Sequence, residues 1–420
     1  MMVEMKESGV TWVGKIPKHW NFNKAKYHFT NDKYVVGVKS TNYNRLALTL
    51  KGVIHREKED NEGLQPNDFN TYQLLKTGEL VFKLIDLQNV STSRVGLAHD
   101  TGIVSPAYII LHANNDIDPA YAEKFFLMMW HREIFNALGD AGVRSSLNAG
   151  DLLNVFIPIP PLDEQNRIAD FLDNKCAEIA SISAEIQEQI ITLEEYKKSV
   201  ITEAVTKGLN PNAEMKESGA KWIGNIPKTW SVDKFKYHMY RNEIKDKGYL
   251  TVLSLYRELG IVPKDSRSDN HNVTSEDTSK YKYVRIGDFV VNKMKAWQGS
   301  VAVSDYQGIV SPAYYIYQFK DNSFNRKYFH YLLRACYKDE FRRLSGGIRE
   351  GQWDLAAYNL ESMLIIIPSK EEQNEIVDYL DSKCAEIDGA IKDKQQQLET
   401  LEEYKKTLIY EYVTGKKEVA

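Results

Sequence analysis

Met5–Trp20 reads MKESGVTWVGKIPKHW, and Met215–Trp230 reads MKESGAKWIGNIPKTW, the same opening displaced by 210 positions. Working outward, Gly102–Tyr108 (GIVSPAY) returns unchanged as Gly308–Tyr314. Glu164–Asn166 with Asn174–Ile179 (EQN and NKCAEI) returns as Glu372–Asn374 with Ser382–Ile387 (EQN and SKCAEI). Leu193–Lys198 (LEEYKK) returns as Leu401–Lys406. Matches of this length in one order make the chain two copies of a single unit, and repeats are the first thing that architecture must satisfy. A length of 420 residues also asks for more than one core.

Each copy divides in two. Residues 1–160 and 213–368 mix short β-like runs with turns. Val81–Ile85, Ile103–Leu111 and Val155–Ile159 are expected strands, matched by Phe289–Val291, Ile309–Phe319 and Met363–Ile367. Helical stretches are expected at Pro119–Leu138 and Asn325–Leu344. The remaining segments, 161–212 and 369–420, read as single long helices over 163–207 and 371–413. The prolines at 158, 160 and 161 stop the preceding strand, and Asp163 is an expected N-cap.

In the first helix Ile168, Leu172, Lys175, Ile179, Ile182, Ile186, Gln189, Leu193, Tyr196 and Val200 alternate at spacings of four and three, a heptad seam with two polar interruptions. The second keeps Ile376, Leu380, Ile387, Leu401, Tyr404 and Leu408, with Ala390 and Lys394 where isoleucines stood. A seam this narrow wants a helical partner, and each helix supplies one for the other. The expected fold is α+β: two similar mixed α/β modules joined by two long helices in an antiparallel coiled coil, with a pseudo-two-fold internal repeat.

Charge is segregated. The whole chain carries −4, but residues 1–160 are net 0, 161–212 net −5, 213–368 net +6 and 369–420 net −5. A phosphate-facing surface therefore belongs to the modules, not to the helices. The three cysteines, Cys176, Cys336 and Cys384, make no disulfide framework or zinc spacing, and no apolar run reaches the ~20 residues of a membrane span. Met1–Val10 is charged, without the apolar stretch of a signal peptide. A cytoplasmic location and no membrane partner are expected.

Two similar readers held apart by stiff helices suit two half-sites about one duplex turn, ~34 Å, apart. Helices of ~45 residues are ~65 Å long and serve as a ruler. The modules differ in sequence, so the half-sites are expected to differ.

The residues also resemble a family. A GxxWxGxIPxxW opening stands at Gly9–Trp20 and Gly219–Trp230, GIVSPAY follows in each copy, and IPIPPLDEQNRIADFLD (Ile157–Asp173) matches IIPSKEEQNEIVDYLD (Ile366–Asp381). Over nearly the whole chain this resembles the DNA-specificity subunit of type I restriction–modification systems, with two target-recognition domains and two spacer helices. The resemblance implies double-stranded DNA with a split, asymmetric target as ligand, and two modification (methyltransferase) subunits as partners. It also implies restriction subunits in the full complex, N6-methyladenine made by the partner, and no cofactor or catalytic residue in this chain. The specificity subunit of a type IIB-like system remains open beside it, as does a coiled-coil scaffold that binds only proteins. A self-contained methyltransferase is disfavoured, because no glycine-rich S-adenosylmethionine loop precedes either SPAY.

Base reading requires Arg, Lys, Asn or Gln on loops. In the first module the candidates are Lys51, Arg56, Lys83, Gln88, Asn89, Arg94, Arg144 and Ser146. In the second they are Arg257, Lys264, Arg267, Lys293, Lys295, Gln298, Arg342, Arg343 and Arg349. The duplicated Trp12, Trp20, Trp222 and Trp230 read as core. Cys176 and Cys384 read as packed helix residues, SPAY as a strand end, and the Glu/Lys clusters near 194–198 and 402–406 as a solvated helix face.

Overall fold

The computed structural model describes residues 4–60, 68–87, 92–138, 146–245, 247–256, 259–266, 274–275, 277–347 and 353–419. The chain forms two compact units. One comprises Met1–Gln187 with Gln396–Ala420, the other Glu188–Gln395. Each unit therefore holds one module together with the adjoining parts of both long helices, a central helix at Leu162–Lys207 and a distal helix at Lys370–Val413.

In the first unit one four-stranded sheet runs Phe29–Thr30, Ile109–Ala113, Leu80–Phe82, Val95–Leu97. Another runs Gly52–Arg56, Arg45–Thr49, Gly102–Val104, Gln73–Leu75. The second unit repeats the first sheet as Met239–Arg241, Tyr314–Phe319, Phe289–Asn292, Val301–Val303, and splits the other into two ribbons, Leu253–Tyr256 with Gly260–Pro263 and Lys282–Val284 with Gly308–Val310. In both, the module's last strand, Phe156–Ile159 or Leu364–Ile367, pairs with one near its beginning. Trp20 and Trp230 lie fully buried in the respective main cores.

The expected long strands Ile103–Leu111 and Ile309–Phe319 are each broken into two, Gly102–Val104 with Ile109–Ala113 and Gly308–Val310 with Tyr314–Phe319. The break is the SPAY turn, and its backbone is tied down from a neighbouring strand. Gln73 Nε2 donates to the Ser105 and Tyr108 carbonyls at 2.9 and 2.6 Å, and in the other unit Lys282 Nζ donates to the Tyr314 carbonyl at 2.8 Å. The preceding glycine is required by close approach. A Cβ on Gly102 would stand 2.6 Å from the Asn44 carbonyl, and one on Gly308 2.4 Å from that of Thr251. The expected helices at 119–138 and 325–344 likewise divide, into Pro119–His131 with Ile134–Leu138 and Arg326–Cys336 with Lys338–Leu344.

Within each unit the long helices run antiparallel. Ile168, Leu172 and Ile179 share a core with Leu408, Ile409 and Val413, and the Phe171 and Tyr412 rings lie 4.5 Å apart. In the other unit Val200, Ala204 and Val205 pack with Ile376, Val377 and Leu380, and Lys197 Nζ reaches Asp388 at 2.6 Å. Ile186 and Ile387 are also buried, while Leu193 and Leu401 are half-buried.

Three seam residues are placed elsewhere than expected. Ile182, Tyr196 and Tyr404 are 39, 48 and 52% exposed. Heptad positions Leu172, Ile179, Ile186, Leu193 and Val200 are common to two phases, and the helix turns toward the other one. Its alternate position is filled by Cys176, Ser183, Ile190, Lys197 and Ala204, all buried or half-buried, as are Cys384, Ile391, Leu398 and Lys405 of the distal helix. That flank carries Ile190, Ile391 and Leu398, apolar residues that cost more to expose than tyrosines whose hydroxyls keep water.

Asp163 is not the cap, since the central helix already begins at Leu162. The Pro161 carbonyl accepts from Glu164 and Gln165 at 2.9 and 3.0 Å. The distal helix starts differently, with Ser369 Oγ accepting from the Glu372 amide at 3.2 Å, a side-chain cap that Pro161 has no hydroxyl to make.

Candidate nucleic-acid interface

The face that a duplex would meet depends on how each module is held, and both are held by the same joint. Gln165, fully buried, accepts from the Asp118 amide at 2.7 Å and donates to the carbonyls of Pro160 and Asp116 at 2.9 and 3.2 Å. Gln373 repeats all three bonds, from the Asn325 amide at 2.7 Å and to the Ser323 and Pro368 carbonyls at 2.9 and 3.1 Å. One amide thus fastens the start of the long helix to the start of the module helix. The end of the other long helix is fastened by a buried tyrosine. Tyr121 Oη shares its one proton between the Pro158 and Val413 carbonyls, at 3.0 and 3.1 Å, and Tyr328 Oη donates to that of Val205 at 3.0 Å. Burial, reinforced by the nearby carboxylates of Glu164 and Glu372, holds both phenols well above their ordinary pKa, so they act as donors at every physiological pH. The repeated EQN motif carried this signal, but sequence alone gave its glutamine no role.

On that frame the second module brings several candidate residues together. Lys293, Lys295 and Gln298 lie on the turn that follows the strand Phe289–Asn292, and Arg342 and Arg343 lie on the helix Lys338–Leu344 packed against it. Lys293 pairs with Asp354 at 3.3 Å. Arg343 grips the buried carboxylate of Glu340 with two bonds of 2.6 and 2.7 Å, which raises the pKa of the guanidinium and commits it to that partner. Between them stand two aromatics the candidate set missed. Trp297 and Trp353 meet edge to face at 5.7 Å, and the Arg342 guanidinium lies 5.9 Å over the Trp353 ring. Lys295 also lines a shallow cleft of about 280 Å³ with Lys264, Ser254, Asn292, Ser311 and Tyr314, where Lys264 Nζ bonds the Thr274 hydroxyl.

The first module gathers fewer. Lys83 is half-buried and donates to the Thr92 hydroxyl at 3.2 Å; burial, then the neighbouring Arg94, lower its pKa. Arg94 corrects a sequence expectation. Its side chain is 1% exposed, and its guanidinium donates to the carbonyls of Lys83, Ile85 and Asp86 at 3.3, 3.3 and 2.5 Å. It braces the turn from inside and presents nothing outward, because three converging carbonyls outbid water for the fork. Arg56 bonds Asp60 at 2.7 Å, and the exposed Ser146 bridges to Ile85. Lys51 faces another place, a cavity of about 560 Å³ lined also by His99, Glu123, His131, Cys176 and Lys405. Gln88, Asn89, Arg144, Arg257, Arg267 and Arg349 lie outside the described residues.

Among the described residues, no group of His, Cys, Asp and Glu is placed to hold a metal ion, and no helix is long and apolar enough to cross a membrane.

The family described as type I restriction modification DNA specificity domain matches twice, at residues 13–192 and 233–400. A protein of Methanocaldococcus jannaschii assigned as the MjaX type I restriction enzyme specificity subunit is 24% identical over 97% of this chain and 95% of its own length. The MjaVIII specificity subunit of the same organism is 28% identical over 63% of this chain and 62% of its own. Two solved structures share the fold. A chain from a study of complex assembly and conformational transition in the type I R-M system superposes with a TM-score of 0.69 at 14% identity, covering 95% of this chain and 98% of that one. The HsdS subunit from Thermoanaerobacter tengcongensis gives 0.52 at 15%, with the same coverage.

Proposed function

This chain belongs to the type I restriction–modification DNA specificity family, and from that premise we propose that it is the DNA-reading, non-catalytic subunit of such a system, each module reading one half of a split, asymmetric target. The observation that carries this reading is the contrast between joint and face. The bonds that hold the modules are the same in both, from Gln165 and Gln373 and from Tyr121 and Tyr328, while the turn residues beside the sheet differ. Two readers mounted alike but lettered differently are what an asymmetric bipartite site requires. The antiparallel helices fix the spacing of the half-sites and offer the docking surface for two modification subunits, with restriction subunits joining that core. DNA methylation is the partner's chemistry.

Modification-sensitive sequencing of DNA from cells with this gene beside its modification subunit, against a deletion of this gene alone, tests the reading. A split motif of methylated adenines that disappears on deletion supports it and delivers both half-sites. Methylation that survives the deletion unchanged overturns it. The ruler is tested separately by inserting four residues near Gln189, about one helical turn and ~6 Å. The preferred spacer then grows by one or two base pairs, whereas an unchanged spacer removes the helices from that role.

A further inference from the structure

Four of the seven tryptophans, Trp12, Trp20, Trp222 and Trp230, are duplicated core residues, and Trp130 lines the cavity of the first unit. Trp297 and Trp353 have no such duty. Both are half-buried on the second module, and the segment of the first module after its corresponding strand, Leu84–Ser93, contains no aromatic residue. Trp297 is held by its own turn: Nε1 donates to the Met294 carbonyl at 3.2 Å, and the turn closes on Gly299 at φ 84. With its one polar edge satisfied inside the turn, the indole has only π-surface left to offer. Exposed Met294 and Lys295 flank it, and Arg342 lies over the neighbouring Trp353.

Indole faces set among cations are matched by a ligand that is itself a stack of π-faces edged with anions. We propose that Trp297 and Trp353 contact the duplex by stacking at a base step opened by the second module, so that this half-site is read partly through deformability, while the first module, without such a pair, leaves its half-site stacked. The inference rests on the DNA-reading function proposed above and adds the mode of contact.

The test uses the full-length chain purified with its modification subunit, and a pool of random-sequence duplexes carrying 5-iododeoxyuridine in place of thymidine. Irradiation joins iodouracil to an aromatic ring stacked on it. The expected crosslinks map to the peptide holding Met294–Gln298 or to Trp353. Trp297→Ala weakens binding about tenfold, the loss of one stacked base. The slope of affinity against salt stays as it was, because no phosphate contact is removed. Trp297→Phe keeps a ring and retains most of the affinity, which separates stacking from misfolding. Binding of the duplex with crosslinks only elsewhere, and with Trp297→Ala as tight as the parent, overturns the stacking contact and leaves the DNA-reading function standing. No duplex binding by the parent complex at low salt overturns both.

Discussion

The two modules differ most where they are least constrained, and matched positions show how. The Lys83 amide donates to the Arg94 carbonyl at 3.0 Å, and the Asn292 amide donates to that of Ser300 at 3.1 Å. Leu147 and Leu355 donate in turn to Leu84 and Lys293, at 2.9 and 3.0 Å. The backbone is one design, filled twice. In the first module the turn is braced from within by a buried arginine. In the second a small serine takes that position, and the turn is braced from outside by its packing on a helix, with tryptophan in the contact. Elsewhere one task is performed by different chemistry. The Leu97 amide donates to Glu123 at 2.8 Å, and the Val303 amide donates to His330 Nδ1 at 3.3 Å. Asp173 receives Lys124, while Asp381 receives Tyr331 together with Lys327 from one turn earlier. What the modules share is therefore a set of backbone demands. The side chains that meet them are free to change, and with them the surface beside the sheet.

Gln165→Ala and Gln373→Ala each strand buried amide and carbonyl groups, so each is expected to lower the unfolding free energy by about 3 kcal/mol in a urea titration. A large loss from one and none from the other would break the equivalence of the joints. Gly102→Ala and Gly308→Ala drive a methyl into a carbonyl and are expected to cost about 2–3 kcal/mol each.

Acid should expose the next difference. Burial holds His131 and His330 at about 4, in the first and second units respectively, at positions that do not correspond. Both pKa values are depressed relative to the unfolded chain, where imidazole titrates near 6.5. Stability is then complete above that value and is lost as pH falls toward 4, by up to about 3 kcal/mol for each group. His131→Gln and His330→Gln, each followed by thermal unfolding across this window, should each flatten the decline, and an unaltered slope would remove that imidazole from the account.

Arg94→Ala, which leaves three carbonyls facing a void, is expected to cost about 2 kcal/mol, against less than about 1 for Ser300→Ala. Equal costs would erase the contrast drawn above. The smallest effect belongs to Lys197. Its ion pair with Asp388 is partly exposed, and a double-mutant cycle should return well under about 1 kcal/mol.

The duplication, the mixed modules and the paired helices were legible because long repeats and heptad spacing survive in sequence. The phase of the seam was not. Leu172, Ile179, Ile186, Leu193 and Val200 belong to two adjacent stripes, and heptad spacing by itself does not say which of the two the fold buries. SPAY read as a strand end, but the second strand beyond it was hidden, because an apolar run looks the same whether it is one strand or two with a pinned turn. Arg94 was misplaced for a related reason: a basic residue in a loop looks exposed until the carbonyls around it are known. Trp297 and Trp353 escaped because a lone tryptophan reads as core unless its surroundings are seen.

The hydrogen bonds of the glutamine joint all run to main chain among the described residues. Its partners are the amide nitrogens of Asp118 and Asn325 and the carbonyl oxygens of Asp116, Pro160, Ser323 and Pro368. A socket that grips only peptide groups is blind to the identity of what is plugged into it. The side chains of a module can then be rewritten without renegotiating the grammar that attaches it to the rest of the chain.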